Sequence, residues 1–334
     1  MRIQIFFTAL LFFFFFFIAQ ETSVIPLNYN TSGYAENASS ALKLSTQSST
    51  STTLVPTINA EMTVSESGSL NYMLPFEVLK GVNTFQPNFA LAYNSQSGNG
   101  QAGWGWNIVG ISSITQGGKS KEIDGITIGP QFDNDDPFYL DGQRLIKKSS
   151  SVFETEKFSK IKITKYSSGD FSFIIKYPDG KIAKYKEIST RQHYISTLID
   201  PIGNEIHYFY DVSANSPRLV RASYGGTDNL TDKFYINFNY ITRKSAIKIY
   251  RNGVEFINDK ILKTVETGSS YTGIYRKYSL GFDFVEGGTI ERVRTIDVEN
   301  ESGEKLKPVN FSYNNVNSSG SIDISRGGTD KIPN

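Results

Sequence analysis

Cysteine is absent from the 334 residues, and the chain holds only two histidines, two tryptophans and three methionines. Without cysteine there are no disulfides, no thiolate nucleophile and no Cys-ligated zinc, a composition that suits an exported chain stabilised by noncovalent packing. His193 and His207 have neither an i, i+4 partner nor a His-Glu-x-x-His setting, so zinc hydrolysis lacks its ligands. Charge of one sign is also missing: 34 Lys and Arg face 33 Asp and Glu, a formal net charge of +1. No broad field draws a polyanion, and nucleic acid is not an expected partner. Helical spacing between caps is nowhere sustained, so helix is expected to be brief.

One apolar run is present, Ile3 to Ile18, behind Met1-Arg2 and ahead of Ala19-Gln20. It reads as a signal peptide over 1–20; an anchor is the competing reading, but the run falls short of the ~20 residues a span needs. No other segment approaches that length, so no membrane span is expected after cleavage, and the expected location is extracellular, with periplasm as the alternative. Residues 21–60 form a Ser/Thr-rich leader without apolar periodicity. Residues 316–334 read as a tail or the start of a linker.

Between them, 61–315 is rich in Tyr and Phe and follows strand logic. Phe171–Tyr177 and Lys181–Tyr185 flank Pro178-Asp179-Gly180, and Tyr194–Ile199 and Glu205–Asp211 flank Asp200–Asn204, giving two hairpins. Phe234–Tyr240, Ala246–Tyr250 before Asn252-Gly253, Tyr278–Phe284 and Val309–Tyr313 continue the rhythm. The expectation is an all-β fold of antiparallel hairpins making a large curved sheet or shell segment. Any incomplete shell would leave long open sheet edges.

Chemistry-bearing motifs are few. Gly98-Asn99-Gly100-Gln101-Ala102-Gly103 has G-x-G-x-x-G spacing, yet aromatic β sequence follows where a phosphate-binding helix is required, so a tight turn is expected and no cofactor. Glu154-Thr155-Glu156 is similar to the Glu-x-Glu pair of arginine-specific ADP-ribosyltransferases, but alternate strand positions share a solvent face. Asp133-Asn134-Asp135-Asp136 lacks the Gly and distal Glu of a calcium loop and reads as a solvated turn. No G-x-S-x-G elbow occurs, so no catalytic residue and no metal ligand is assigned. Strand alternation places Trp104 and Trp106 on one side, where Trp104→Ala would cost ~3–5 kcal/mol if the ring were buried.

Ser67–Val78, Pro87–Ser95, Gly98-Asn99-Gly100, Gly103-Trp104-Gly105-Trp106, Gly110–Thr115 and Leu140-Asp141-Gly142-Gln143-Arg144-Leu145 together resemble the amino-terminal domain shared by the Salmonella virulence plasmid B protein and insecticidal toxin-complex B components. Leu306–Tyr313 is similar to that family's closing strand, and Tyr208, Tyr210 and Asp211 resemble the tyrosine-aspartate repeats of Rhs shells. The resemblance covers roughly 62 to 313. It implies a noncatalytic β shell or scaffold segment that joins a C-type component or downstream chain, the toxic ADP-ribosyltransferase of the virulence-plasmid relative being a separate domain. A surface or carbohydrate-binding β protein, an enzyme fragment and a remnant of a larger toxin are the alternatives.

Overall fold

The computed structural model describes residues 58–313, apart from 214, 229–231 and 286–287. The signal peptide over 1–20, the leader over 21–60 except its last three residues, and the tail over 316–334 lie outside the described residues.

The first sheet contains β1 (Glu61–Val64), β2 (Leu70–Pro75), β3 (Ala90–Asn94), β4 (Asn99–Gly100), β5 (Gly103–Trp104) and β6 (Trp106–Val109), in the order β1-β2-β3-β6-β5-β4. The Ser65–Gly68 turn joins β1 to β2, and Pro75 ends β2 as its missing donor suggests.

The second sheet begins with β7 (Ser113–Gln116), β8 (Phe138–Leu140), β9 (Gln143–Lys147), β10 (Val152–Thr155), β11 (Lys162–Lys165), β12 (Phe173–Lys176), β13 (Ile182–Ser189) and β14 (Gln192–Ile199). Each pairs with the next, and β14 also returns to β7 through Gln192↔Thr115 and His193↔Ile114, which closes an antiparallel barrel. Alternation along β10, β12 and β13 sends Phe153, Phe173, Ile175, Ala183 and Tyr185 inward, so side chains fill the lumen.

The far end of β14 stays paired with β13 and takes β15 (Glu205–Ser213) on its other edge, and the sheet runs on through β16 (Ser216–Gly226), β17 (Phe234–Arg251), β18 (Val254–Ser269), β19 (Gly273–Phe284), β20 (Glu291–Asn300) and β21 (Val309–Asn310). The first sheet packs on this extension. Phe76, Phe89, Trp106, Phe238, Leu262 and Tyr278 are central to the shared core, with edge-to-face pairs such as Phe89–Phe238 at 5.4 Å. Tyr208 packs against both this core and the barrel interior and so couples the two.

Helix is confined, among the described residues, to a 3-10 turn at Val82–Thr84 and α1 (Lys121–Asp124). No helix of the described residues is long and apolar enough to cross a membrane. The all-β expectation holds, with two differences of detail. Phe234–Tyr240 and Ala246–Tyr250 are one strand, β17, whose ladder to β18 jumps between Thr242 and Ile247. Open edges are concentrated on the β17–β18 arm: β17 pairs with β16 only over Phe234–Asn237, and β18 pairs with β19 only over Thr264–Ser269.

Candidate functional site

The Gly98–Trp106 segment forms the short edge hairpin β4–β5 and the turn into β6. Gly105 occupies φ +77, a conformation side chains rarely adopt, and a Cβ there would meet the Tyr93 ring at 2.5 Å. Its N–H donates to Gly98 O at 2.8 Å and its carbonyl accepts from Asn94 N at 3.0 Å. This kink overturns the shared-side expectation for the two tryptophans: Trp106 is fully buried, whereas Trp104 is 40% exposed. Two residues of regular alternation would have aligned them; a left-handed glycine between them rotates the frame. Trp106 Nε1–H donates to Tyr313 Oη at 2.9 Å, and that hydroxyl donates to Val293 O at 2.6 Å, so one indole ties β6 to the closing segment and β20.

Asn99 and Gly100 are gripped from the opposite sheet. At the irregularity in β17 the chain turns Arg243 inward, where its side chain is fully buried. Its Nη2 donates to Gly100 O, Nη1 to Asn99 Oδ1 at 3.1 Å, and Nε to Lys260 O at 3.1 Å. Glu291 Oε2 lies 3.5 Å from Nη1, and Glu291 Oε1 accepts from Lys244 N at 2.6 Å. Burial pushes the Arg243 pKa down and Glu291 opposes it. Leu262 N also donates to Gln101 O at 2.9 Å. The Gly-Asn-Gly turn therefore serves as an acceptor for a buried guanidinium. The segment runs on into β5 and β6 rather than into a helix.

Leu140-Asp141-Gly142-Gln143 is a two-residue hairpin with φ +54 at Asp141 and φ +83 at Gly142, the left-handed pair that matches strand twist. The Asp141 carboxylate bonds Ser113 N at 2.7 Å and Ser112 Oγ at 2.8 Å, and Tyr185 Oη lies 2.7 Å from the same Oγ. Arg144 forms a bidentate pair with Asp124, at 2.9 and 2.5 Å, which pins α1 to β9. The Arg144 bond lowers the Asp124 pKa and Asp124 raises that of Arg144.

The remaining candidates are separated. Glu154 points outward from β10, 3.4 Å from Lys148, while Thr155 between it and Glu156 is buried. In the acidic turn, Asp136 accepts from Gln131 N and Phe132 N, Asp133 from Asp135 N, and Asp135 pairs with Lys119 at 3.4 Å. Among the described residues no group of three or more His, Cys, Asp or Glu is arranged to hold a metal.

The histidines diverge. His193 sits at one end of the barrel with Nδ1 2.8 Å from Ser172 Oγ and its ring against Phe173 at 5.0 Å. Burial, opposed by Glu187 and reinforced by Lys165 and Arg191, lowers its pKa to about 4. His207 bridges Glu205 at 2.7 Å and Asp232 at 3.0 Å; burial lowers its pKa, but Asp232 and Glu205 together leave it raised. Because the folded state keeps His193 neutral, its contribution is complete above pH 6.5 and is lost as pH falls toward about 4. The loss is on the order of 3 kcal/mol. His207 acts in the opposite sense, contributing below pH 6.5 and ceasing as pH rises through its elevated pKa. Urea unfolding from pH 4 to 7 should therefore lose most of its acid limb in His193→Phe; an unchanged limb would contradict this.

Sequence reasoning missed Arg243, Glu291 and Arg218. The one available signal for Arg243 is the polar break Thr242-Arg243-Lys244-Ser245 inside an otherwise alternating strand. Glu291 and Arg218 sit in patterns indistinguishable from solvent-facing charge.

Residues 64–194, which span most of the first sheet and the barrel, match the family model described as Salmonella virulence plasmid 65kDa B protein. No curated protein matches the chain. Among solved structures, TcdB2-TccC3 is similar with TM-score 0.63 and 16% identity, covering 77% of this chain and 17% of that one. The Photorhabdus luminescens Tc holotoxin pore is similar with TM-score 0.62 and 15% identity, covering 77% and 16%. The N-terminal domain of effector protein SpvB from Salmonella typhimurium strain LT2 is similar with TM-score 0.53 and 17% identity, covering 65% of this chain and 94% of that domain. The chain thus spans about a sixth of the toxin-complex chains but nearly the whole of the SpvB domain, and at these identities the structural likeness speaks for the fold. Residues 64–194 thus match the Salmonella virulence plasmid 65kDa B protein family, and the chain shares its fold with TcdB2-TccC3.

Proposed function

We propose that residues 61–315 form one β domain that acts as a noncatalytic shell or scaffold segment of an exported, toxin-complex-like assembly and binds other polypeptides. The observation that carries this reading is the fold shared with TcdB2-TccC3 across 77% of the chain. The internal chemistry agrees with it: the family-motif residues Asn99, Gly100 and Asp141 are spent on holding strands together, and Arg144 on holding α1 to β9. The partner is a C-type shell component or a downstream chain, and neither nucleic acid nor a cofactor is required. The β17–β18 arm offers the contact surface, because its outer edges lack strand partners beyond Asn237 and before Thr264, and Ile241, Ile249 and Tyr250 are exposed along it. Export rests on the signal-peptide reading of 1–20.

Capture of the native product with an antibody against residues 150–250, followed by cross-linking mass spectrometry, tests this. The expected result is a stoichiometric second polypeptide, or further chain, cross-linked to Lys244 or Lys248 of the arm. A lone processed chain with only internal cross-links would overturn the reading.

A further inference from the structure

β16 is 11 residues long, yet it pairs with β17 only from Arg221 to Tyr224. Ahead of that point the strands part, and the gap is spanned by side chains, with Tyr240 Oη donating to Leu219 O at 2.9 Å. A cavity of about 200 Å³ lies in the split, and a more open one of about 380 Å³ shares its Arg218, Tyr240 and Lys260 wall.

Arg218 is only 4% exposed. Its Nη2 donates to Asp259 Oδ1 at 3.0 Å and to Ser213 Oγ at 2.7 Å, while Nη1 has no hydrogen-bond partner and stands 3.6 Å from Asp211 Oδ2. On the lining of the same smaller cavity Gln101 carries a buried Oε1 that likewise has no partner. Arg218, though ion-paired with Asp211 and Asp259, therefore keeps one donor without a hydrogen bond, and Gln101 keeps one acceptor without one. A buried polar atom left unpaired costs ~1–3 kcal/mol, so a ligand that meets both is favoured over one that meets either alone. Two further cations complete the lining. Arg251 stacks over Phe256 at 5.8 Å, and Lys260 Nζ donates to Thr242 Oγ1 at 2.9 Å. No carboxylate lines the smaller cavity, whose other polar groups include the amides of Gln192, Asn215 and Asn258.

We propose that the split between β16 and β17 binds a small hydroxylated carboxylate, the class of a terminal uronic acid. Its carboxylate is held by Arg218, Arg251 and Lys260, and a hydroxyl donates to Gln101 Oε1. The volume is below the ~300–1,000 Å³ of whole-ligand pockets, which limits the occupant to a single ring or chain end. This site stands independently of the scaffold reading and involves binding without turnover.

Isothermal titration of the full chain with sodium glucuronate, glucose and inorganic phosphate tests it. Glucuronate should bind at one site, with glucose, which lacks the anion, and phosphate, which lacks the sugar hydroxyls, each at least about tenfold weaker. Arg218 is too deeply paired to be a safe probe. Arg251→Glu and Lys260→Met alter side chains that reach solvent, and each should weaken glucuronate about tenfold with an unchanged thermal midpoint. Absence of saturable glucuronate binding, equal binding of glucose or phosphate, or wild-type affinity in both variants would overturn the assignment.

Discussion

Alanine at Trp106 is expected to destabilise the protein by ~3–5 kcal/mol, while alanine at Trp104, two residues away, should cost below ~1 kcal/mol. Trp106 is fully buried between the two sheets, with Tyr93 at 5.1 Å, Phe311 at 4.9 Å and Tyr72 at 5.9 Å around its ring. Truncation opens a cavity that those rings, set on three different segments, cannot collapse into together. It also removes the Nε1–H that Tyr313 Oη accepts. Trp104 leaves much of its ring in solvent already. Chemical denaturation of both variants separates the two values. Equal losses would mean that the Gly105 kink does not set the tryptophans apart.

Glu291→Ala should cost a comparable ~3–5 kcal/mol, because it leaves Arg243 as an uncompensated buried cation. Glu291 does more than neutralise: it also accepts Lys244 N and thereby holds the β17 irregularity that aims Arg243 at Gly100 and Asn99. Changing both residues, Arg243→Met with Glu291→Leu, should recover a large part of that loss, since an apolar pair removes two desolvated charges at once. Stability curves of the single and double variants decide the matter. A double variant as unstable as the sum of the singles would show that the pair is not coupled.

These two results bear on how much could be read without a structure. The Asn252-Gly253 turn was legible from local chemistry, with positive φ at both central residues as the dipeptide requires, and Asp141-Gly142, read only as part of a family motif, obeys the same rule. Strand pairing across short loops was equally legible, with Lys176↔Ile182 and Ile199↔Glu205 closing the two hairpins read from alternation. Barrel closure was not, because Gln192↔Thr115 joins segments far apart in sequence and no local preference encodes that register. Trp104 was misread since alternation presumes extended backbone at Gly105. Arg243 and Arg218 were invisible for a different reason. A charged residue in a strand is ordinarily solvent-facing, and only the bulge in one case and the parted strands in the other reverse that.

The family motifs acquire a physical meaning in this light. Gly98, Gly103 and Gly105 shape the edge hairpin, Asn99 and Gly100 present acceptors to a buried guanidinium, and Gln143 and Arg144 follow the hairpin that returns β8 to β9. Asn99 and Gly100 thereby join the two sheets, while Arg144 holds α1 to β9.

Electron cryomicroscopy of the assembly captured from native material tests the scaffold reading most directly. The account predicts density for residues 58–313 within the wall of a larger β shell, with a second polypeptide or further chain against the β17–β18 arm. Particles holding this chain alone, with both edges of the arm facing solvent, would contradict it.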